Sequence, residues 1–143
     1  MQKTLLTLLV LVATLLFSGL SMAEQKITKG NWDIHYIAFP SAFIKPETAR
    51  SYQLERSRYM ALINISVLET SSQQAQNVSL TGTARNLLGQ TTQLDFKKVE
   101  EGESIYYLAQ LKYSNEEIFN FSIDVQRGNR TENIKFKQKF YVD

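Results

Sequence analysis

A single histidine limits the catalytic chemistry that this chain can support. His35 is the only side chain able to act as an imidazole acid, base or metal ligand. Asp33 stands two residues earlier, and alternate residues of a strand share a face, so a strand here would allow an Asp–His pair. Such a pair would serve a small hydrolase, although no nucleophile motif accompanies the serines. The alternative is a half-exposed strand histidine with no chemical role.

Metal and thiol chemistry find few ligands in this sequence. The chain has no cysteine, which removes disulfides, thiol catalysis and thiolate metal sites. Zinc takes three or four ligands and soft Cu(I) needs several His or Met side chains, yet Met60 is the only methionine after residue 23. The glutamates of 100–103 lack the ligand spacing of a calcium loop. We therefore expect no metal and no cofactor.

The strongest binding candidate is a cluster of arginines and tyrosines over residues 50–59. Arg50, Arg56 and Arg58 are interleaved with Tyr52 and Tyr59. A guanidinium group binds carboxylate or phosphate through a planar fork of donors. The predicted ligand or partner contacts are therefore Arg50, Tyr52, Arg56 and Arg58, with Asp33 and His35 as the alternative site.

Both basic regions of the sequence also have a structural interpretation. The three arginines would then pair with Glu47 and Glu55 and hold a helix against a sheet. Lys135, Lys137 and Lys139 alternate along the last predicted strand and could meet an anionic lipid or glycan. Lysines on an exposed strand also protect a sheet edge from aggregation, so this stripe does not by itself predict a ligand.

The elements that position these groups follow from period-two alternation of apolar and polar residues, which is typical of half-buried strands. Pro46, with Glu47 behind it, predicts a short helix over 46–52. We predict an all-β fold, an immunoglobulin-like β-sandwich of about seven antiparallel strands with one short helix in a loop. A partly open barrel is the alternative. Alternation marks seven strands: 30–39, 59–69, 78–85, 91–99, 105–113, 119–125 and 134–142. The predicted core includes Ile63, Ile65, Phe121, Ile123 and Phe136.

The first 23 residues resemble an export signal. Lys3, an apolar run over 5–17, and the small residues Ser21 and Ala23 match a secretory signal peptide cleaved after Ala23. The run is shorter than the roughly 20 apolar residues that span a bilayer. We predict a signal peptide over 1–23 and a single β-sandwich domain over 24–143, with no membrane span in the mature chain. Loss of Lys3 lowers the net charge from +2 to +1, which argues against nucleic acid as a partner.

Several short segments form a recognisable set along the chain: Gly30-Asn31-Trp32, residues 39–43, the helix residues 47–52, Arg56-Ser57 and the strand segment 64–68. Together they resemble an uncharacterised family of exported bacterial proteins, domain of unknown function 4426. The resemblance covers nearly the whole chain after residue 23. It implies a bacterial, periplasmic setting and, because the family carries no established activity, it implies no catalytic or binding residue.

These observations predict an exported periplasmic protein that binds a protein, peptide or envelope ligand and is not an enzyme. The helix-containing connection is the expected contact surface. Two alternatives remain: a small envelope hydrolase using His35 with Asp33, and a structural accessory subunit of an envelope complex. The hydrolase requires a cleft in which His35 meets a nucleophile. The accessory subunit requires a large exposed apolar patch or an unpaired strand edge.

Overall fold

The alternating segments form nine antiparallel strands in the structure, a computed structural model that describes residues 24–142. In chain order they are β1 (Gln25–Lys29), β2 (Trp32–Pro40), β3 (Met60–Glu69), β4 (Ser79–Asn86), β5 (Thr91–Leu94), β6 (Lys97–Glu101), β7 (Ser104–Lys112), β8 (Glu117–Arg127) and β9 (Arg130–Phe140). A 3-10 turn (Ser41–Phe43) and the helix α1 (Pro46–Ser51) connect β2 to β3. The predicted signal peptide lies outside the described residues.

The strands form two sheets with the connectivity of an immunoglobulin domain. One sheet has the order β1-β2-β3-β7-β6 and the other the order β5-β4-β8-β9. Apart from the added β1, these orders match strands A-B-E-D and C′-C-F-G of immunoglobulin domains. The predicted β-sandwich is therefore confirmed. The barrel alternative is excluded, since no strand pairing joins the two sheets within residues 24–142.

Two details of the strand prediction are wrong. Strand β1 was not predicted, because it is an exposed edge strand in which Ile27 alone is apolar. The predicted strand over 91–99 is two strands in different sheets, β5 and β6, and the chain crosses between the sheets at Asp95 and Phe96. The ring of Phe96 passes over Gly82 of β4, where an added Cβ would lie 3.3 Å from that ring and 3.0 Å from Ile123. Any larger residue at this position would require these neighbours to shift.

The core fills the space between the inner faces of the sheets. Four of the predicted core residues are almost completely buried: Ile63, Ile65, Phe121 and Ile123. Phe136 is partly buried, and its ring stacks on Phe121 at 4.6 Å and on Tyr36 at 4.2 Å between centroids. The register of the strands is therefore the one that the alternation predicts.

The connection between β2 and β3, residues 41–59, packs on the outer face of the five-stranded sheet. We call this connection the helical excursion. Pro46 occupies the first turn of α1 and Glu47 follows it, as the sequence predicts. The helix buries Ala49 in a second, smaller apolar cluster with Ile44, Leu62, Val99 and Leu108. This cluster covers one half of the outer face and leaves the other half, toward Asp33 and His35, open.

Candidate functional site

The open half of this outer face forms a polar trough with a volume of about 880 Å³. Its floor is built from three neighbouring strands: His35 on β2, Asn64 and Ser66 on β3, and Tyr106 on β7. The register pairs His35 with Ser66 and Ile37 with Asn64, which brings the side chains of His35 and Asn64 onto one face of adjacent strands. The walls come from residues 72–75 and from the turn between β6 and β7.

Two polar atoms in this floor are buried without a hydrogen-bond partner among the described residues, His35 Nε2 and Asn64 Oδ1. The other ring nitrogen of His35, Nδ1, lies 3.5 Å from the Glu24 carboxylate. A carboxylate beside Nδ1 favours the tautomer with its proton there, which leaves Nε2 as an acceptor. Because Asn64 Oδ1 is also an acceptor, the floor presents two acceptors that lack donors. Buried polar groups are normally paired, so this pair makes the trough the strongest candidate for a binding site.

Asp33 lies on the same outer face, yet its carboxylate is fully engaged. Its Oδ1 accepts hydrogen bonds from the hydroxyls of Thr28 and Thr70, both at 2.9 Å. Its Oδ2 accepts from Gln73 Nε2 at 3.0 Å and lies 4.0 Å from Lys26 Nζ. The Gln73 donor and then the two hydroxyls hold the pKa of Asp33 below its ordinary value of 3.8. Asp33 therefore joins β1, β2 and the segment after β3.

The geometry gives Asp33 and His35 separate partners. The carboxylate beside His35 is that of Glu24, while donors from β1 and from the segment after β3 fix Asp33. A pair in which Asp33 orients the imidazole does not form in the structure. The sequence could not show this arrangement, because it depends on strand β1, which places Glu24 next to His35.

The arginine cluster is dispersed by the fold. Arg56 donates from Nε to the carbonyl of Ile44 at 2.7 Å and from a terminal nitrogen to that of Ala42 at 3.1 Å. Arg50 is exposed at the end of α1. Arg58 is exposed, and its guanidinium carbon lies 5.9 Å from the ring centroid of Tyr59. The three guanidinium groups therefore do not converge on one ligand.

The expected clamp exists, although it uses different partners. Within residues 24–142, none of the three arginines forms an ion pair with Glu47, Glu55 or any other acid. Arg56 instead holds backbone carbonyls of the excursion. Tyr52 packs in the smaller cluster, and its carbonyl accepts from Lys97 Nζ at 2.9 Å. These contacts fix the excursion to the edge strand β6.

Sequence reasoning missed the residues that form the trough, chiefly Asn64, Ser66, Tyr106 and Glu103. One signal was available in the sequence. Asn64 is a polar residue in the middle of the most apolar strand, where an apolar residue would be expected on either face. Over the described part of the chain, no three His, Asp or Glu side chains are grouped closely enough to hold a metal ion. Nor does any described helix have the length and hydropathy needed to cross a membrane.

Comparison with known proteins identifies the family. The family model for domain of unknown function 4426 matches residues 26–143. The chain belongs to this family. A crystal structure of a family protein from Pseudomonas aeruginosa PAO1 is 32% identical, with a TM-score of 0.75 over 84% of this chain and 96% of that one. The resemblance predicted from the sequence is therefore confirmed.

More distant structures share the fold alone. Two structures of FetP from uropathogenic Escherichia coli strain F11, one of them a copper-bound variant, are 11% and 10% identical to the chain. Their TM-scores are 0.58 and 0.59, over 83% and 84% of this chain and 90% and 95% of theirs. No curated protein matches the chain.

Proposed function

We propose that this family member is an exported, periplasmic binding protein without enzymatic activity, and that its ligand occupies the trough on the outer face of the five-stranded sheet. The export proposal rests on the signal-peptide pattern of residues 1–23. The binding proposal rests on one observation, the two buried acceptors His35 Nε2 and Asn64 Oδ1 in the trough floor. A ligand that donates hydrogen bonds to both would remove the cost of burying them unpaired.

The lining of the trough favours a small organic cation. Glu24 and Glu103 supply two carboxylates, and no lysine or arginine lines the trough. Tyr106 offers an aromatic ring on the same floor, and such rings attract ammonium groups. An ammonium group suits all of these groups at once. Its N–H donors can bind the two acceptors, and its positive charge is attracted by the carboxylates and the ring.

The trough does not favour copper, although a FetP variant binds it. His35 is the only histidine and Met60 the only methionine after residue 23. Met60 lies six residues before Ser66 along β3, at the far end of the strand from His35. Copper would thus find one imidazole and no thioether in the trough, where several such ligands are needed.

Ligand binding can be tested by NMR with benzylammonium and its neutral counterpart, benzyl alcohol. We expect benzylammonium to shift the signals of His35 and of the Asn64 side-chain amide, and benzyl alcohol to shift them much less. Asn64→Leu removes one acceptor and should abolish these shifts. It should also leave the free energy of unfolding unchanged or raise it by up to about 1 kcal/mol, because a buried unpaired amide is lost.

The matched control is Asn120→Leu, since Asn120 is an exposed asparagine on β8. It should leave benzylammonium binding unchanged. Retained binding in Asn64→Leu, or shifts centred away from the trough, would contradict the proposed site. Intact-mass measurement of the exported protein tests the cleavage after Ala23, and a mass that includes residues 1–23 would contradict it.

A further inference from the structure

The large apolar side chains that are exposed cluster at one end of the sandwich. At this end β2, β4, β7 and β9 finish, and β3 and β8 begin, as the pairings of Met60 with Lys112 and of Glu117 with Phe140 show. We call this region the apolar end. Its members, with their exposed fractions, are Phe43 (60%), Tyr59 (54%), Leu87 (66%), Leu88 (86%) and Tyr141 (52%). These are all of the strongly exposed large apolar side chains within residues 24–142.

The two leucines stand on a rigid turn between β4 and β5. The buried side chain of Asn86 accepts hydrogen bonds from the backbone N–H groups of Leu88 at 3.1 Å and Gln90 at 2.9 Å. Its amide nitrogen donates to Glu117 Oε2 at 2.9 Å and to Gln90 Oε1 at 2.8 Å. The backbone of the turn is thus fixed, while both leucine side chains project into solvent.

The tyrosines of the apolar end are joined to each other and to cations. The buried hydroxyl of Tyr113 donates to the backbone carbonyls of Arg58 and Tyr141, which brings Tyr59 and Tyr141 to the same region. Lys139 Nζ lies 5.3 Å from the ring centroid of Tyr141. The guanidinium carbon of Arg58 lies 5.9 Å from the ring centroid of Tyr59. Tyrosine with lysine or arginine is typical of groups that lie at the headgroup level of a membrane.

The charge around these side chains is predominantly positive. Arg85 lies against Gly89 in the leucine turn, and Lys112 is the last residue of β7, which finishes at the apolar end. Glu116 is paired with Lys139 at 3.8 Å, and Glu117 is engaged by Asn86 and by the backbone N–H of Ser114. The cations of Arg58, Arg85 and Lys112 have no acidic partner within residues 24–142. They complement an anionic surface.

We propose that the apolar end docks the protein onto an anionic lipid bilayer. Leu87 and Leu88 insert into the acyl boundary, Tyr59 and Tyr141 lie at the headgroup level, and the surrounding cations contact lipid phosphates. Apolar insertion and electrostatic attraction together give reversible binding of this kind. The trough lies on a side face of the sandwich, so it stays open to solvent when the end is docked.

Flotation with vesicles tests this proposal on the exported protein. We expect binding to vesicles that contain phosphatidylglycerol and little binding to vesicles of phosphatidylcholine alone. The double variant Leu87→Ser, Leu88→Ser should weaken binding on the order of tenfold or more, because two leucine side chains no longer leave water. Lys112→Gln should weaken binding a few-fold, because Lys112 is one of the cations without an acidic partner within residues 24–142 and one cation near an anionic surface contributes about 1 kcal/mol.

Lys135→Gln is the matched control, because Lys135 is an exposed lysine of β9 that lies away from the apolar end. It should leave binding nearly unchanged. Trp32 lies at the opposite end with the Arg130 guanidinium 3.7 Å above its ring, so its fluorescence reports an intact fold without responding to lipid. Unchanged binding in the leucine variant, or equal weakening by Lys135→Gln, would overturn the proposal. It would also be overturned if the leucine variant abolished a dimer in sedimentation while vesicles bound neither protein.

Discussion

The two faces of strand β3 contrast in how completely their side chains are satisfied. Ile63 and Ile65 point into the core, with no exposed surface. Asn64 stands between them, points to the outer face and leaves a buried oxygen unpaired. The inner face is thus built for stability, whereas the outer face keeps a polar group that contributes nothing to it. Such an imbalance inside one strand is expected where a fold carries a binding site.

The outer face repeats this contrast over a shorter distance. Asp33 has three hydrogen-bond donors and a nearby lysine, whereas two residues later His35 keeps Nε2 without a donor. A chemically reactive type of residue is therefore a poor guide to function by itself. Asp33 and His35 differ in whether the fold supplies a hydrogen-bond partner for every polar atom of the side chain.

The largest effect should come from the inner face. Ile65→Ala removes a completely buried side chain and leaves a cavity, so we expect a loss of about 2–5 kcal/mol in the free energy of unfolding. Urea denaturation measures this value. Asn64→Ala on the same strand serves as the control and should cost much less. A loss below about 1 kcal/mol for Ile65→Ala, as for surface changes, would break the contrast between the faces.

A smaller effect, dependent on pH, should come from Asp33. Asp33→Asn replaces a carboxylate that three donors stabilise, so the melting temperature at neutral pH should fall by several degrees. Because the pKa of Asp33 is lowered in the folded state, this stabilisation is complete above the ordinary value of 3.8 and is lost as the pH falls through the lowered pKa. The difference between wild type and variant should therefore shrink below about pH 4. A difference that grows on acidification would refute this role.

The smallest effect compares two arginines of the excursion. Arg56→Ala removes charge-assisted bonds to two carbonyls and should cost about 1–2 kcal/mol, whereas Arg50→Ala should change stability by less than about 0.5 kcal/mol. Chemical denaturation of both variants checks the pair. Equal losses would show that the excursion is held through the helix as a whole.

The sequence predicted the sandwich because burial on one face imposes alternation, and most of the strands obey it. Strand β1 was not predicted, because an exposed edge strand has no buried face and therefore no alternating pattern. The division of residues 91–99 into two strands was not predicted, because alternation shows which residues are buried and does not show which sheet buries them. The single strand was predicted because Leu94 and Phe96 alternate as they would on one strand face, whereas β5 buries Leu94 and β6 buries Val99.

The site was less predictable than the fold. Its floor joins His35 to Asn64, which are neighbours only because of the register between β2 and β3. Alternation predicts which face a side chain takes, but β2 and β3 are separated by residues 41–59, so no short turn shows which of their residues lie opposite each other. The surroundings of the arginines were unpredictable for the same reason, since Arg56 binds two backbone carbonyls of the excursion while Arg50 and Arg58 are exposed.

The crossing at Gly82 and Phe96 limits how the sequence of this domain can evolve. A methyl group at position 82 would lie 3.0 Å from Ile123, 3.2 Å from the carbonyl oxygen of Ser122 and 3.3 Å from the ring of Phe96, so all three neighbours would have to shift. We expect homologues to keep glycine at position 82, because a smaller side chain at position 96 would relieve only one of these contacts. An alignment of the family would then show glycine at position 82 even where the residue at position 96 varies.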